Sequence, residues 1–334
     1  MDNGGAIARS ILDLSILNEG QSSGDALQTT STLARRADQL GYSRFWVAEH
    51  HNMPSVACTS PAVLIAHLAA ITSNMRIGSG GVMLPNHSPL VIAEQFAMLE
   101  SLHPGRIDLG IGRAPGTDQR TAAMLRRTSD SFEEDDFPRD FLDLMGLLGQ
   151  PRTSEGLWKQ FAATPAATSS PDVFLLGSSG YSAQLAGHLG LPFAFAHHFD
   201  TGGTMQATEL YRHTFQPSAV LDAPYMIVTT NVLAADSKED ADWHAAPSRL
   251  AALGRRTGRF IRLPPPLDAA VHPDMEAANR LPSSRIVGEI SMVMRELEEL
   301  VERTGAAEVM VTSVAYDLAA RVRSIELLAE HWIG

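Results

Sequence analysis

The sequence predicts an α/β protein: a (β/α)8 TIM barrel with loop insertions on its C-terminal face. Three observations lead there. Short β-branched or aromatic runs alternate with longer helix-period segments through the first third of the chain. The alternation resumes after residue 171 and brings the strands to eight, enough to close a barrel. Polar, irregular stretches follow strands, where barrels build their sites. The 334 residues suit one barrel, since such folds routinely exceed about 200 residues as a unit, and 1–334 reads as a single domain. An open doubly wound sheet is the structural alternative. Its dinucleotide form needs G-x-G-x-x-G directly after the first strand, but Asn18-Glu19-Gly20-Gln21 follows here, and Gly78-Ser79-Gly80-Gly81 lies late in a strand.

Ile11 to Leu17 reads as the first strand. Asp25 can cap a helix whose apolar positions Leu33, Ala37 and Leu40 keep a 3.6-residue period up to Gly41. Ser43 to Ala48 is the second strand; Pro61 opens a helix reaching Ile71, and Met75 to Met83 is the third strand. Pro89 opens a helix with Ile92, Phe96, Leu99 and Leu102 on one side, and the turn His103-Pro104-Gly105-Arg106 leads into Ile107 to Ile111. The polar run from Gly112 reads as a loop leading to a helix near Phe132 to Leu148, and Thr153 to Pro171 as a connector or flap. Asp172 to Leu176, Phe193 to Ala196, Tyr225 to Leu233 and Glu308 to Thr312 complete the strands. Thr257 to Pro282, centred on Leu263-Pro264-Pro265-Pro266-Leu267, is a proline-rich insertion. Val287 to Arg303 and Leu318 to Leu328 read as amphipathic helices.

Composition narrows the class. No apolar run approaches the about 18–20 residues that span a bilayer. A net charge of −12 argues against nucleic acid or an anionic membrane as partner, while leaving room for a local pocket for one phosphate. Arg126-Arg127 and Arg255-Arg256 read as solvated faces. The lone cysteine, Cys58, excludes an intrachain disulfide and a cysteine-based metal site; it reads as a small buried residue in a reducing, cytoplasmic protein.

Three features carry chemistry. His50 and His51 directly follow the second strand, where a barrel side chain points toward the shared site, and imidazole suits general acid or base work near neutral pH. One of the pair could equally anchor a loop, and Glu49 could orient either ring. Metal binding by both is disfavoured because adjacent residues on an extended segment point apart. Gly80-Gly81 interrupts an apolar strand, as either a platform for a planar ligand or a bulge that helps closure. Leu176-Gly177-Ser178-Ser179-Gly180-Tyr181-Ser182 passes from strand to helix, where backbone amides and hydroxyls bind phosphate or simply cap the helix. Arg113, just past the fourth strand, could supply an opposing charge.

Together, FWVAEHH, SPAVLIAHLAAIT, RIGSGGVMLPNHSPLVIAEQFAMLESL and PGRIDLGIGRAPG strongly resemble the bacterial luciferase-like monooxygenase family, especially its single-chain members from aromatic-polyketide antibiotic biosynthesis. The likeness resumes in FLLGSSGYSAQLAGHLGLPFAFAHHF and EVMVTSVAYDLAARVRSIELLA. It implies a barrel that binds reduced FMN, reacts with O2 through a flavin C4a-(hydro)peroxide and oxygenates a small organic substrate, an aromatic polyketide by analogy. It further implies His50 as the catalytic residue, Gly80 and Gly81 joined by a non-prolyl cis peptide beneath the flavin ring, and Arg113 and Ser178 at the flavin phosphate, with Tyr181 and Ser182 beside them. A separate NAD(P)H-dependent flavin reductase and a homodimer, formed through the helices after strands two and three, are the implied partners. The wider superfamily offers F420 hydride transfer, or a non-catalytic flavin-binding role, as alternatives. Bioluminescent members carry a reactive cysteine before the arginine. Gly112 stands here, so a substrate other than the light-emitting aldehyde is implied. His197 and His198 end a strand and are further pocket candidates.

Overall fold

The computed structural model describes residues 7–126, 136–199 and 202–332. Its strands are β1 (Ala8–Asp13), β2 (Arg44–Val47), β3 (Arg76–Met83), β4 (Ile107–Gly112), β5 (Asp172–Gly177), β6 (Phe193–Phe195), β7 (Met226–Ala235), β8 (Ile286–Glu289) and β9 (Glu308–Thr312). All pairings between them are parallel. The ring runs β1 through β7 in order, then β9, which closes on β1. The eight expected strands are those of the ring. Among the described residues, β8 pairs only with the far end of β7, from Val232↔Ile286 to Ala235↔Glu289. It corrects the sequence reading, which began a helix at Val287: β7 outruns its ring partners, and the exposed edge recruits the β-branched pair Ile286-Val287 before the helix starts at Ile290. β1 likewise stops at Asp13 rather than Leu17, because Ser15 takes a positive φ of 49° that breaks the ladder.

The helices are α1 (Ser23–Gln39), α2 (Pro61–Ala70), α3 (Pro89–Leu102), α4 (Gln119–Arg126), α5 (Asp136–Leu147), α6 (Gly180–Leu189), α7 (Thr204–Thr214), α8 (Lys238–Arg256), α9 (Pro266–Ala270), α10 (Met275–Asn279), α11 (Ile290–Thr304) and α12 (Leu318–His331). Ser22, not Asp25, caps α1; Asp25 is the reciprocal partner whose carboxylate takes the Ser22 amide. α4 lies within the run expected to be a loop, its start held by the Asp118 carboxylate accepting from the amides of Arg120 and Thr121. The part of the expected Phe132 to Leu148 helix before residue 136 lies outside the described residues, as do Arg127 and the Arg126 side chain. The Thr153 to Pro171 stretch is a connector. The Leu157 amide donates to Asp143, Ser169 to Glu100 and the Ser170 hydroxyl to the Leu148 carbonyl, and the chain then enters β5 at its N-terminal end, away from the site.

Alternating strand residues build two cores. Outward-facing Phe45, Val47, Ile77, Ile107 and Leu109 pack under the helices. Inward-facing Leu12, Trp46, Phe174, Ala194, Ile227 and Met310 fill the barrel. Trp46 meets Phe174 edge to face at 4.9 Å and donates its indole N–H to Asp108 at 2.9 Å. β3 gives way to it with glycine. A Cβ on Gly78 would stand 2.9 Å from Trp46 Cδ1, and one on Gly80 2.8 Å from Leu12 Cδ1 and 3.0 Å from Trp46 Cε3. Below this layer, Arg44 bridges Asp108 (2.8 Å) and Glu308 (3.1 Å), and Arg76 reaches Asp108 at 2.7 Å. Paired charges thus occupy the N-terminal end of the barrel.

The proline-rich insertion packs onto the opposite end. Leu263 is buried; its amide donates to the Leu17 carbonyl and its carbonyl accepts from the Glu19 amide. Ala269 of α9 and Ala278 of α10 pack on Ala246 and Leu250 of α8.

Candidate functional site

Two adjoining cavities open at the C-terminal ends of the strands. The inner one, about 240 Å3, lies over the barrel core, and Trp46, Gly80, Gly81 and Met310 are among its walls. The outer chamber, about 340 Å3, is walled by the loop after β1, the end of α8 and the insertion. Leu14, His50, His198 and Phe199 line both.

His50 therefore stands at the junction. Its backbone amide donates to the Cys58 carbonyl at 3.1 Å, which fixes the loop, while its ring Nδ1 is buried with no hydrogen-bond partner among the described residues. Burial holds its imidazole below the ordinary histidine range, against the opposing pull of the Glu49 charge and with a smaller push from His51. A ring that is neutral near pH 7 can accept a proton or donate its own N–H.

Glu49 orients His51, not His50. Its fully buried carboxylate accepts from His51 Nε2 at 2.8 Å, His87 Nε2 at 2.9 Å, Asn86 Nδ2 at 3.1 Å and the Met83 amide at 2.9 Å. Burial alone would raise its pKa; the bonds and charge supplied by His87, with those of Met83 and His51, prevail and hold it low. The knot ties the end of β2 to the end of β3 and keeps the chain around His50 in place.

Gly80 and Gly81 are joined by a cis peptide and line the inner cavity. The strand register against β4 also shifts there, between Gly80 and Val82. The bulge and the cavity wall are thus the same residues. A Cβ on Gly81 would sit 2.4 Å from Leu176 Cδ1 and 2.8 Å from the Gly110 carbonyl oxygen, so no side chain fits.

Arg113, Ser178 and Ser182 line the same cavity where α6 begins. Ser179, the residue before that helix, makes no side-chain cap to the amides of its first turn. The Arg113 guanidinium lies 4.4 Å from the centre of the Tyr181 ring. Tyr181 positions the arginine rather than lining the cavity wall. A cation and a helix N-terminus near one cavity are the combination that suits an anion in general.

The other histidine pair divides. His198 faces both cavities, its Nδ1 3.3 Å from the Thr229 carbonyl, while His197 turns away to Thr204 Oγ1 at 2.8 Å. Arg255 and Arg256, expected on a solvated face, are exposed but also line the outer chamber, because the insertion folds back over the end of α8. The sequence reading passed over His87, which lies one short turn, Leu84–Asn86, beyond the end of β3; the rule that residues following barrel strands approach the site covers that loop as well. It also passed over Asn231 and Arg285 of the outer chamber; Arg285 precedes the unexpected strand β8. Cys58 is buried, as expected, and burial pushes its thiol up to about 12.

The luciferase-like monooxygenase family model matches residues 11–315. A luciferase-like monooxygenase of Escherichia coli K12 is 45% identical over 325 residues, covering 96% of both chains. The crystal structure of apo-MsnO8 superposes with a TM-score of 0.87 at 36% identity, over 97% of this chain and 98% of that one. The oxygenating constituent of 3,6-diketocamphane monooxygenase from Pseudomonas putida, solved in complex with FMN, shares the fold with a TM-score of 0.74 at 19% identity, over 98% of both chains.

Proposed function

Because the chain belongs to the luciferase-like monooxygenase family and is an oxidoreductase, we propose that it binds reduced FMN in the inner cavity and oxygenates an organic substrate held in the outer chamber. The junction carries this reading: a buried, neutral imidazole with an unpartnered Nδ1 stands where the two spaces meet.

The residues present fit the cofactor. Arg113, Ser178, Ser182 and the first-turn amides of α6 would hold the phosphate, and Gly80-Gly81 would lie against the flavin ring, which needs a wall without side chains. FMN is assigned in preference to F420, which the family likeness does not favour. When bound, reduced FMN supplies the two electrons of the reaction: one oxygen atom of O2 enters the substrate, the other leaves as water, and the flavin ends oxidised. His50 would hold or pass a proton at the reacting end of the substrate, and Glu49 with His51 and His87 keeps it there. The apolar walls keep bulk water from the reacting atoms.

A separate reductase supplies the reduced flavin in this reading, and the whole 1–334 chain acts as one cytoplasmic domain. No helix among the described residues is long and apolar enough to cross a membrane. Phe199 and Phe260 offer the flat surfaces that an aromatic polyketide would stack on. Val63 on α2 and Val91, Met98 and Leu102 on α3 are exposed and would supply apolar surface to a homodimer, which sedimentation velocity would detect.

The test mixes the protein with photoreduced FMN and then with aerated buffer in a stopped-flow instrument. A long-lived absorbance transient, distinct from reduced and oxidised flavin, is expected, with flavin binding weakened in Arg113→Ala. Reoxidation at the rate of free flavin, with no binding by calorimetry, would sink the proposal.

A further inference from the structure

The turn after β1 is fixed by a buried clamp of polar side chains, and that turn in its place holds the loop of His50. Asp13, the last residue of β1, is buried, and two helices grip its carboxylate. Arg321 Nη2 of α12 reaches Oδ1 at 2.6 Å, and the Thr30 hydroxyl of α1 donates to Oδ2. Thr30 has one proton to give, and the charged oxygen is a nearer and stronger acceptor than the Ala26 carbonyl at 3.2 Å. The Ser15 hydroxyl, 2.8 Å from Thr30 Oγ1, is therefore the donor of that pair. Donation runs from Ser15 to Thr30 to Asp13, with Arg321 balancing the charge at the far end.

Ser15 has a φ of 49°, a conformation that a residue with a side chain keeps only where its surroundings over-determine it. Its bond to Thr30 supplies that constraint. The turned backbone then grips residues 55–58: the Ala57 amide donates to the Ser15 carbonyl and the Leu17 amide to the Ser55 carbonyl, both at 2.9 Å, and Ile16 bridges Val56 antiparallel. At the far end of that segment the Cys58 carbonyl accepts from the His50 amide at 3.1 Å, and the Cys58 thiol donates to the Ala48 carbonyl at 2.6 Å. The Glu49 knot ties the His50 loop to the end of β3; the clamp ties the same loop to the end of β1.

Resting on the reading of His50 as the residue at the reacting end of the substrate, we propose that Thr30 and Ser15 are positioning residues for it. Neither is among the residues that line the two cavities. They act through the backbone of residues 55–58, and the same turn sets Leu14, which follows Asp13 and lines both spaces.

Amide hydrogen exchange on the intact protein, resolved by residue, reads the linkage without any substrate. Thr30→Val keeps the shape and removes the hydroxyl. Loop amides exchange through local openings, which respond to a lost contact only when the opening breaks it. The Ala57 and His50 amides are therefore expected to exchange about tenfold or more faster in the variant, relative to the amides of β4, the effect of losing one hydrogen bond to a charged group. Thr30→Ser should restore both rates, and Ser15→Ala, which leaves Asp13 its two partners, should repeat the effect if the valine variant does not fold. A lower melting temperature with these two rates moving no more than those of β4 would overturn the proposal, because that is what a purely structural hydroxyl gives. In the stopped-flow assay, Thr30→Val should change the decay of the flavin transient in the direction that His50→Asn does, with FMN affinity unchanged, and should change it no further when added to His50→Asn. Additive effects would overturn the positioning role. A transient that His50→Asn itself leaves unaltered removes the reading of His50, while the exchange rates still decide whether the clamp holds its loop.

Discussion

Replacing Glu49 by Gln tests the buried knot most directly. The substitution keeps size and shape but removes the charge, and it sets an amide NH2 among the four donors His51, His87, Asn86 and Met83. Hydrogen bonds to a charged group contribute about 1.5–3 kcal/mol each. One carboxylate oxygen is lost as an acceptor and the other becomes neutral, so the net loss is about 3–5 kcal/mol, the range for breaking a buried charged pair. With an unfolding entropy of about 2.1 cal/mol/K per residue, a chain of this length should melt about 4–7 °C lower. The pH dependence follows from the direction of the shift. Glu49 titrates below its ordinary value of 4.5 in the folded chain, so its stabilisation is complete above that value and fades as pH falls through the lower folded one. Differential scanning calorimetry should show the full gap between wild type and variant at pH 7, narrowing only in acid below about 4.5. A Glu49→Gln protein melting within about 1 °C of wild type at pH 7 would refute the account of the knot.

His50→Asn should lower oxygen transfer by about 10²–10⁴-fold, the usual worth of a general acid or base, with FMN affinity nearly intact; a parallel loss of both would make His50 a flavin contact. Arg113→Ala should weaken FMN binding by about ten- to a hundredfold, as read by calorimetry. An added methyl at Gly110 meets the Ser79 carbonyl oxygen at 2.1 Å, a backbone atom held in the paired strand. Gly110→Ala should therefore fail to accumulate as folded protein, and a wild-type melting curve would contradict the packing. With its thiol pushed up to about 12, Cys58 should not react with a disulfide reagent at pH 8 until denaturant is added, and rapid labelling of the native chain would show that the site opens.

The ring strands were legible because each is a short apolar run bounded by turn residues or prolines, and parallel barrels repeat that pattern. β8 was not, since Ile286-Val287-Gly288 is too short to show a period and merges with the amphipathic pattern of α11. The inner cavity could be read because its residues sit immediately after strands: His50 after β2, Arg113 after β4 and Ser178 after β5. The outer chamber could not, because Arg255, Arg285 and Phe260 belong to a helix end, a strand approach and a proline-rich run brought together only by tertiary folding. A basic pair at the end of a helix has the same appearance in sequence whether it meets water or a ligand.

The insertion from 257 to 282 gives the molecule a division of labour. It touches the β1 loop through Leu263 and the flank of α8 through Ala269 and Ala278, while none of its residues belongs to a ring strand. Substitutions there can reshape what the outer chamber admits without disturbing the glycine-bearing strands or the Glu49 knot. If the outer chamber holds the substrate as proposed, substrate choice can drift on one stretch of chain while the oxygen chemistry stays under separate constraint. For engineering, residues 257–282 are accordingly the part to randomise first when a new substrate is wanted.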